Sequence, residues 1–275
     1  MRPSPVRLSF PPTGIPLMTQ PHVRAAMAVL GLLIAAPALA VKVPLYDDFN
    51  SPDGIDRSKW FQAPEIRVVK GKQADLGRRL YGAMTSDVGL TSETYGLSMT
   101  DPTPPTGLSA DITVVETSVE GCAANPEPSF SRARLAAAYF NKFKAPVPGD
   151  RTGDVIAQIR VGQTSASPDL VVGGVISVCL DAACNSSGVI AQTAFANTTL
   201  GTPVNARIDW LKSTKTFRFT VDGTQVADLV YTESHSAAPM LPFVQVSIRN
   251  EAANCTASRV RTGLEARFDN VRVAR

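Results

Sequence analysis

Apolar residues recur at every second position along most of the chain beyond residue 100. In VNARIDWL, Ala206, Ile208 and Trp210 alternate with Arg207 and Asp209. In TFRFTV, Phe217, Phe219 and Val221 alternate with Arg218 and Thr220. A period of two marks a strand with one face on a core and the other toward solvent or ligand. The same rule turns Val155, Ala157, Ile159 and Val161 inward, with Gln158 and Arg160 outward. It turns Val244, Val246 and Ile248 inward, with Gln245 and Arg249 outward. The stretch Arg132–Tyr139 has alanines that also suit a helix; it is read as a strand because Arg132 and Arg134 alternate with apolar neighbours. Strands are predicted over 65–70, 107–120, 131–143, 153–162, 173–180, 188–196, 203–211, 215–221, 225–231, 241–249 and 258–273. Gly, Pro, Asn or Asp bound them, and Asp222-Gly223 supplies a hairpin turn. No repeat and no long linker interrupts the series. The prediction is one all-β domain over residues 41–275, an antiparallel β-sandwich.

A different pattern precedes it. Arg24 leads into the apolar run Ala25–Ala36, followed by Pro37 and the small-x-small triplet Ala38-Leu39-Ala40. A charged start, a short apolar stretch and such a site make a signal peptide over residues 1–40 rather than a membrane span. Met18 also fits as the true start, since residues 18–40 alone compose a compact signal. The expected location is secreted or periplasmic, with membrane contact only through the leader if it stays uncleaved.

The leader changes the meaning of the charge. The chain has 27 Lys+Arg against 24 Asp+Glu, a formal +3. Arg2, Arg7 and Arg24 are all in the leader, which has no acid; the remainder is balanced at 24 against 24. A neutral domain has no net pull on nucleic acid, so nucleic acid is not an expected partner. Export also changes the meaning of the cysteines. Cys122, Cys179, Cys184 and Cys255 all follow the leader, and an even count in an oxidising compartment points to two disulfides. Three pairings are open. The turn residues between Cys179 and Cys184 favour a hairpin staple, which leaves Cys122 with Cys255. Zinc is disfavoured, because one histidine remains after the leader and no C-x2-C pairs occur.

Four places together resemble the concanavalin A-like lectin/glucanase superfamily. They are YDDFN at Tyr46–Asn50 followed by IDRSKW ending at Trp60, the ARIDWLKSTKTFRFTVDG hairpin, the long middle strands, and ARFDNVRV near the C-terminus. The resemblance implies a jelly-roll sandwich of two curved antiparallel sheets. It also implies a structural calcium as cofactor beside the joined termini, with Asp269 and Asp48 (or Asp47) among its ligands. The competing reading is that Asp269 and Asn270 cap a bulge, because the apolar phase shifts between Phe268 and Val271.

Catalytic groups of such relatives are not matched. The family-16 glucanases carry E-x-D-x-x-E on one strand. The corresponding LSADITVVETSVEG holds Asp111, Glu116 and Glu120, and the two glutamates stand about 13 Å apart, beyond a retaining pair. Jelly-roll alginate lyases use Gln-Ile-His; here Gln158-Ile159 is followed by Arg160, which cannot act as a base. His235 sits in the loop YTESHSAAP with no nucleophile elbow near it. What remains is a polar face. Arg132, Arg134, Gln158, Arg160, Arg207, Asp209, Arg218, Gln245 and Arg249 all fall at outward positions and are the candidate ligand-binding set. Arginine forks suit carboxylates on acidic sugars or peptides; the plainer reading is a solvated face with cross-strand ion pairs to Asp209 and Glu265. The expected function is a non-catalytic exported sandwich that recognises a glycan or another extracellular surface ligand through a polar concave face. The alternatives are a glycan-cleaving enzyme using carboxylates such as Glu116 or Asp209, and a structural envelope protein.

Overall fold

The alternating strands close into two antiparallel sheets packed face to face. The computed structural model describes residues 43–52, 54–62, 68–69 and 71–275. The leader at 1–40 and the Met18 start lie outside the described residues. Among those described, an eight-stranded sheet contains β1 (Leu45–Asp47), β3 (Val68–Val69), β4 (Ala74–Tyr81), β6 (Gly107–Val119), β11 (Pro203–Leu211), β12 (Thr216–Val221), β13 (Thr224–Val230) and β15 (Arg261–Ala274). Its order is β13-β12-β11-β6-β15-β4-β3, with β1 also on β15. A seven-stranded sheet contains β2 (Trp60–Gln62), β5 (Leu90–Met99), β7 (Phe130–Asn141), β8 (Asp154–Thr164), β9 (Ser167–Cys179), β10 (Ser187–Thr198) and β14 (Val244–Ala253). Its order is β10-β9-β8-β7-β14-β5-β2. The chain returns late in the sequence to fill the middle of both sheets: β15 enters between β6 and β4, and β14 between β7 and β5. This is an all-β jelly-roll sandwich.

The inner faces carry the residues that the alternation selected. Leu135, Ala137 and Tyr139 of β7, Val155 to Val161 of β8 and Val244 to Ile248 of β14 meet Leu108 to Val114 of β6, Ile208 of β11, Phe217 and Phe219 of β12, and Ala266 and Phe268 of β15. Sheets about 10 Å apart need large side chains opposite small ones. The alanines of β7 leave room for aromatic rings from the facing sheet, and the Tyr139 ring meets Phe217 edge-on with centroids 4.6 Å apart. At the N-terminal end, Trp60 is buried and its Nε1 donates to Asp47 Oδ2 at 2.6 Å. Asp47 also accepts the Phe49 N–H at 3.0 Å, so this buried carboxylate is held by two donors and Lys59 at 3.7 Å.

Besides the three-residue β1 and β2, two longer strands escaped the alternation. In β4, only Ala74 and Leu76 are buried before Gly77 and the Arg78-Arg79 pair end the apolar series. In β5, the buried Leu97 and Met99 come at the far end of a polar run. Pairing to β15 and β14 makes both segments strands; their own side chains do not. Trp210 also departs from the expected core position: it is half-buried at the end of β11, with Nε1 donating to Tyr231 Oη at 2.7 Å. The expected segment 65–70 is described only at the short strand Val68–Val69.

Both expected disulfides are present, Cys122–Cys255 and Cys179–Cys184. The first ties the β6–β7 connection to the end of β14, 133 residues away, in a small satellite core with Ala253 and Val260. The second closes a turn of 5 residues' separation between β9 and β10. Loop-closure entropy grows with loop length, which gives roughly 5 kcal/mol for the long bridge and about 2 kcal/mol for the short one. Replacing Cys122 and Cys255 by Ser is expected to lower the denaturation midpoint well beyond the effect of replacing Cys179 and Cys184; urea titration of the two double variants measures this.

Candidate functional site

Every residue between two inward ones on the central strands points out of the sandwich, and pairing sets these side chains in rungs. On the seven-stranded sheet the β7–β14 rungs read Phe130 beside Glu251, Arg132 beside Arg249, Arg134 beside Ser247, and Ala136 beside Gln245. On the β8 side, Arg132 faces Gly162, Arg134 faces Arg160, and Ala136 faces Gln158. On β9, Arg160 faces Gly173. Six of the nine candidate residues thus share one face: Arg132, Arg134, Gln158, Arg160, Gln245 and Arg249.

Charge on this face is mainly cationic, with the exposed Asp169 of β9 in the lining of the groove beside Arg132 and Arg160. Arg132, Arg134, Arg160 and Arg249 repel one another, and the carboxylate that offsets them is Glu251. Glu251 is buried and forms an ion pair with Arg249, two positions back on the same strand face. Arg134 is 8% exposed and donates to Thr94 Oγ1 at 3.3 Å and Ser247 Oγ at 3.2 Å. Arg160 reaches Gln192 Oε1 at 3.4 Å. The Arg132 guanidinium lies 3.5 Å over the Phe130 ring, and among the described residues its Nε has no hydrogen-bond partner. Burial first, then the neighbouring cations, pushes Arg134 down to about 9 and Arg132 well below the ordinary guanidinium range; burial likewise lowers Arg160. A guanidinium does not give up its proton under such pressure, so the four cations stay charged beside Glu251.

Two grooves flank the cluster. One, of about 610 Å³, runs over β7, β8, β9 and β10 and is bounded by Phe130, Arg132 and Arg160. Its floor includes Gly162 and Gly173, where a methyl group would lie 2.6 Å from Arg132 Cβ and 2.9 Å from the Thr193 carbonyl oxygen respectively. The other, of about 670 Å³, is bounded by Arg134, Gln158, Gln245, Arg249, Phe243 and the Cys184 turn. Phe243 stands one step before β14 on the same outward phase as Gln245, and the Arg151 guanidinium lies 5.3 Å over its ring. Phe130, Phe243 and Glu251 were absent from the candidate set. The outward phase of Glu251 two residues beyond Arg249 was a readable signal. The positions of Phe130 and Phe243 at strand margins, where alternation starts, were not.

The other three candidates lie elsewhere. Arg207, Asp209 and Arg218 are on β11 and β12, on the outer face of the eight-stranded sheet. Arg207 binds Asp209 with two hydrogen bonds of 2.7 Å, and Arg218 binds Asp228 with two of 2.9 Å. Glu116 lies 3.9 Å from Arg79 and Glu120 3.3 Å from Arg261 on that sheet as well. This surface is a mosaic of opposite charges, the plainer of the two expectations. The physical reason for the division is strand partnership: alternation assigns a residue to a face of its own sheet but says nothing about which sheet its strand enters.

No family model matches the chain, and no curated protein matches it. Similar solved structures include a laminarinase from Flavobacterium sp. UMI-01, at 11% identity over 81% of this chain and 97% of that one, with a TM-score of 0.44. The alginate lyase Aly36B in complex with alginate trisaccharide is 11% identical over 78% of this chain and 87% of that one, at 0.40. The carbohydrate binding module CBM66 from Bacillus subtilis is 10% identical over 72% and 92%, at 0.34.

The calcium candidates come near one another. Asp269 is raised by burial and by the charges of Asp111 and Asp48. Asp269 accepts the Asn270 N–H at 2.7 Å, Asn270 has φ of 48°, and the β15 register shifts there, which is the bulge geometry. Calcium wants six or more oxygens; among the described residues no group of three or more acidic, His or Cys side chains is arranged to hold a metal, so this donor set is incomplete. His235 is not a free loop residue. Its ring packs edge-on against Phe140 at 4.6 Å and its Nε2 shares a short hydrogen bond with Tyr231 Oη.

Removing the buried partner of the arginine cluster leaves four cations facing one another. Glu251→Gln is expected to cost about 2 kcal/mol or more in urea unfolding, and added sulfate is expected to recover more of that loss than chloride at equal ionic strength. His235 has its pKa lowered by burial, then by Lys212 and Lys215. The folded state therefore favours the neutral ring. Its contribution to stability is complete above the unfolded pKa of about 6.5 and is lost as pH falls through the lowered folded value. Melting temperature between pH 7.5 and pH 5 is expected to fall less in His235→Asn than in the wild type; equal slopes would show that the ring does not titrate with folding.

Proposed function

We propose that this protein is an exported, non-catalytic glycan-recognition domain that takes its ligand across the outer face of the seven-stranded sheet. The observation that carries this reading is the contrast between the two outer faces. One pairs Arg207 with Asp209 and Arg218 with Asp228, and its own groove of about 600 Å³ sets Arg79 and Arg261 beside Glu116 and Glu265. The other collects four arginines around the buried Glu251, beside grooves of about 610 and 670 Å³, the first with Asp169 in its lining. Grooves of this size fall in the range of small-ligand sites. Hydrogen-bonding side chains on the groove lining (Gln158, Gln245, Thr94) can meet a row of hydroxyls, and Phe130 and Phe243 at the margins offer, on the sides away from Arg132 and Arg151, ring faces of the kind that pack against sugar C–H surfaces. The fold's similarity to structures named for carbohydrate binding agrees with the reading without supplying it. Export follows from the leader pattern and is compatible with the two disulfides.

Affinity electrophoresis of the purified protein through gels containing neutral and acidic polysaccharides tests the proposal. Retardation is expected in at least one gel, and Phe243→Ala is expected to weaken it severalfold without lowering the melting temperature by more than a few degrees. Unchanged mobility in every gel would remove the basis for the reading.

A further inference from the structure

The groove over β7, β8, β9 and β10 has a chemistry narrower than glycan binding in general, and the inference drawn from it rests on the glycan reading above. Arg132 and Arg160 stand on adjacent strands one rung apart, since Arg132 faces Gly162 while Arg160 faces Arg134. Both border the groove. Among the described residues neither forms an ion pair within 4.0 Å, whereas Arg249 has Glu251 and Arg218 has Asp228. Arg132 is held by its stack on Phe130, which fixes the plane of the guanidinium while leaving its N–H edge for another acceptor. Arg160 is held by one long contact to Gln192.

Directly beside these two cations the floor is low, while the exposed carboxylate Asp169 and the polar Gln163, Thr164 and Ser167 stand farther along the lining. Gly162 and Gly173 occupy the positions directly opposite Arg132 and Arg160, with Val171 and Ala194 beside them. Close approach of Arg132 Cβ and the Thr193 carbonyl excludes a larger residue at either glycine without a shift of its neighbour. An inorganic ion would fill little of this groove. A ring with a flat C–H face and a carboxylate at one edge fills it: the C–H face lies on the glycine and Val171 floor, and the carboxylate meets two guanidinium edges.

We infer that this groove is a subsite for an acidic sugar, a hexuronate residue whose carboxylate is clamped by Arg132 and Arg160. The same clamp would recognise a sulfate ester by charge, but the planar fork of each arginine matches a carboxylate with two parallel bonds, and uronate is the ligand assigned.

Isothermal titration calorimetry of the purified protein tests the assignment, with oligouronates (galacturonate, glucuronate, mannuronate and guluronate), their carboxyl-reduced counterparts, sulfated galactan oligosaccharides and an acidic peptide as probes. At least one oligouronate is expected to bind tenfold or more tightly than its reduced counterpart. Arg132→Gln and Arg160→Gln are each expected to erase that preference, with Arg160→Lys retaining part of it. Arg218→Gln, on the opposite sheet, is expected to leave it unchanged. Melting curves establish that each variant is folded, and the ratio between charged and reduced ligands is read within one variant, so partial unfolding does not imitate the result. Equal binding of the two ligands would overturn the uronate assignment while leaving the glycan reading intact. Preference for the sulfated sugar or for the acidic peptide over every uronate would overturn it too. Absence of binding to any sugar would overturn both.

Discussion

A dry core between two sheets commits every second residue of the long strands, and that commitment decides what the remaining residues can do. Val155, Ala157, Ile159 and Val161 are almost wholly excluded from water. Moving β8 by one residue would drive Gln158 and Arg160 into that core and strand Val161 outside, at a cost no domain of this size could absorb. The outward rows are therefore held in register by the inward ones. The arginine face is rigid because its side chains are rooted on strands whose opposite sides are packed, and rigidity is what an arrangement of hydrogen-bonding groups needs in order to select a ligand.

Stability and the proposed recognition pull against each other on this face. Four guanidiniums brought within range of a single carboxylate are unfavourable on electrostatic grounds, and burial sharpens the effect. The structure limits the damage locally. Arg134 is satisfied by Thr94 and Ser247, Arg249 by Glu251, and Arg132 rests on an aromatic ring. On the opposite sheet Arg207, Arg218 and Arg261 each have a carboxylate within 3.3 Å, and the surface there is neutralised at short range.

The connections contribute at the margins of the face. The turn closed by Cys179–Cys184 borders the larger groove, and its backbone is gathered by Asp181, which accepts N–H groups from Ala183, Asn185 and Ser186. Such an Asx-type arrangement holds a short loop in one shape without a hydrophobic anchor. The segment before β14 is pinned from another side, where Met240 N–H donates to the buried Asp154 carboxylate that also accepts from Asn141. Phe243 owes its place at the groove to that anchorage as much as to its own outward phase.

Most of the long strands, their inward and outward sides, the two disulfides and the sandwich class were legible in the residues, because each depends on short-range features: alternation within eight residues, turn chemistry within four and an even cysteine count. β4 and β5 were not legible, since their conformation is imposed by β15 and β14 from far along the chain. The partition of the polar set was not legible either. Arg160 and Arg207 have the same local pattern around them, yet one joins a cationic face and the other a neutral mosaic. Which sheet a strand enters depends on long-range pairing, whose energy is spread over backbone hydrogen bonds that carry no side-chain signature. Only the folded chain could therefore bring Arg132, Arg134, Arg160 and Arg249 to one surface and leave Arg207 and Arg218 to the other.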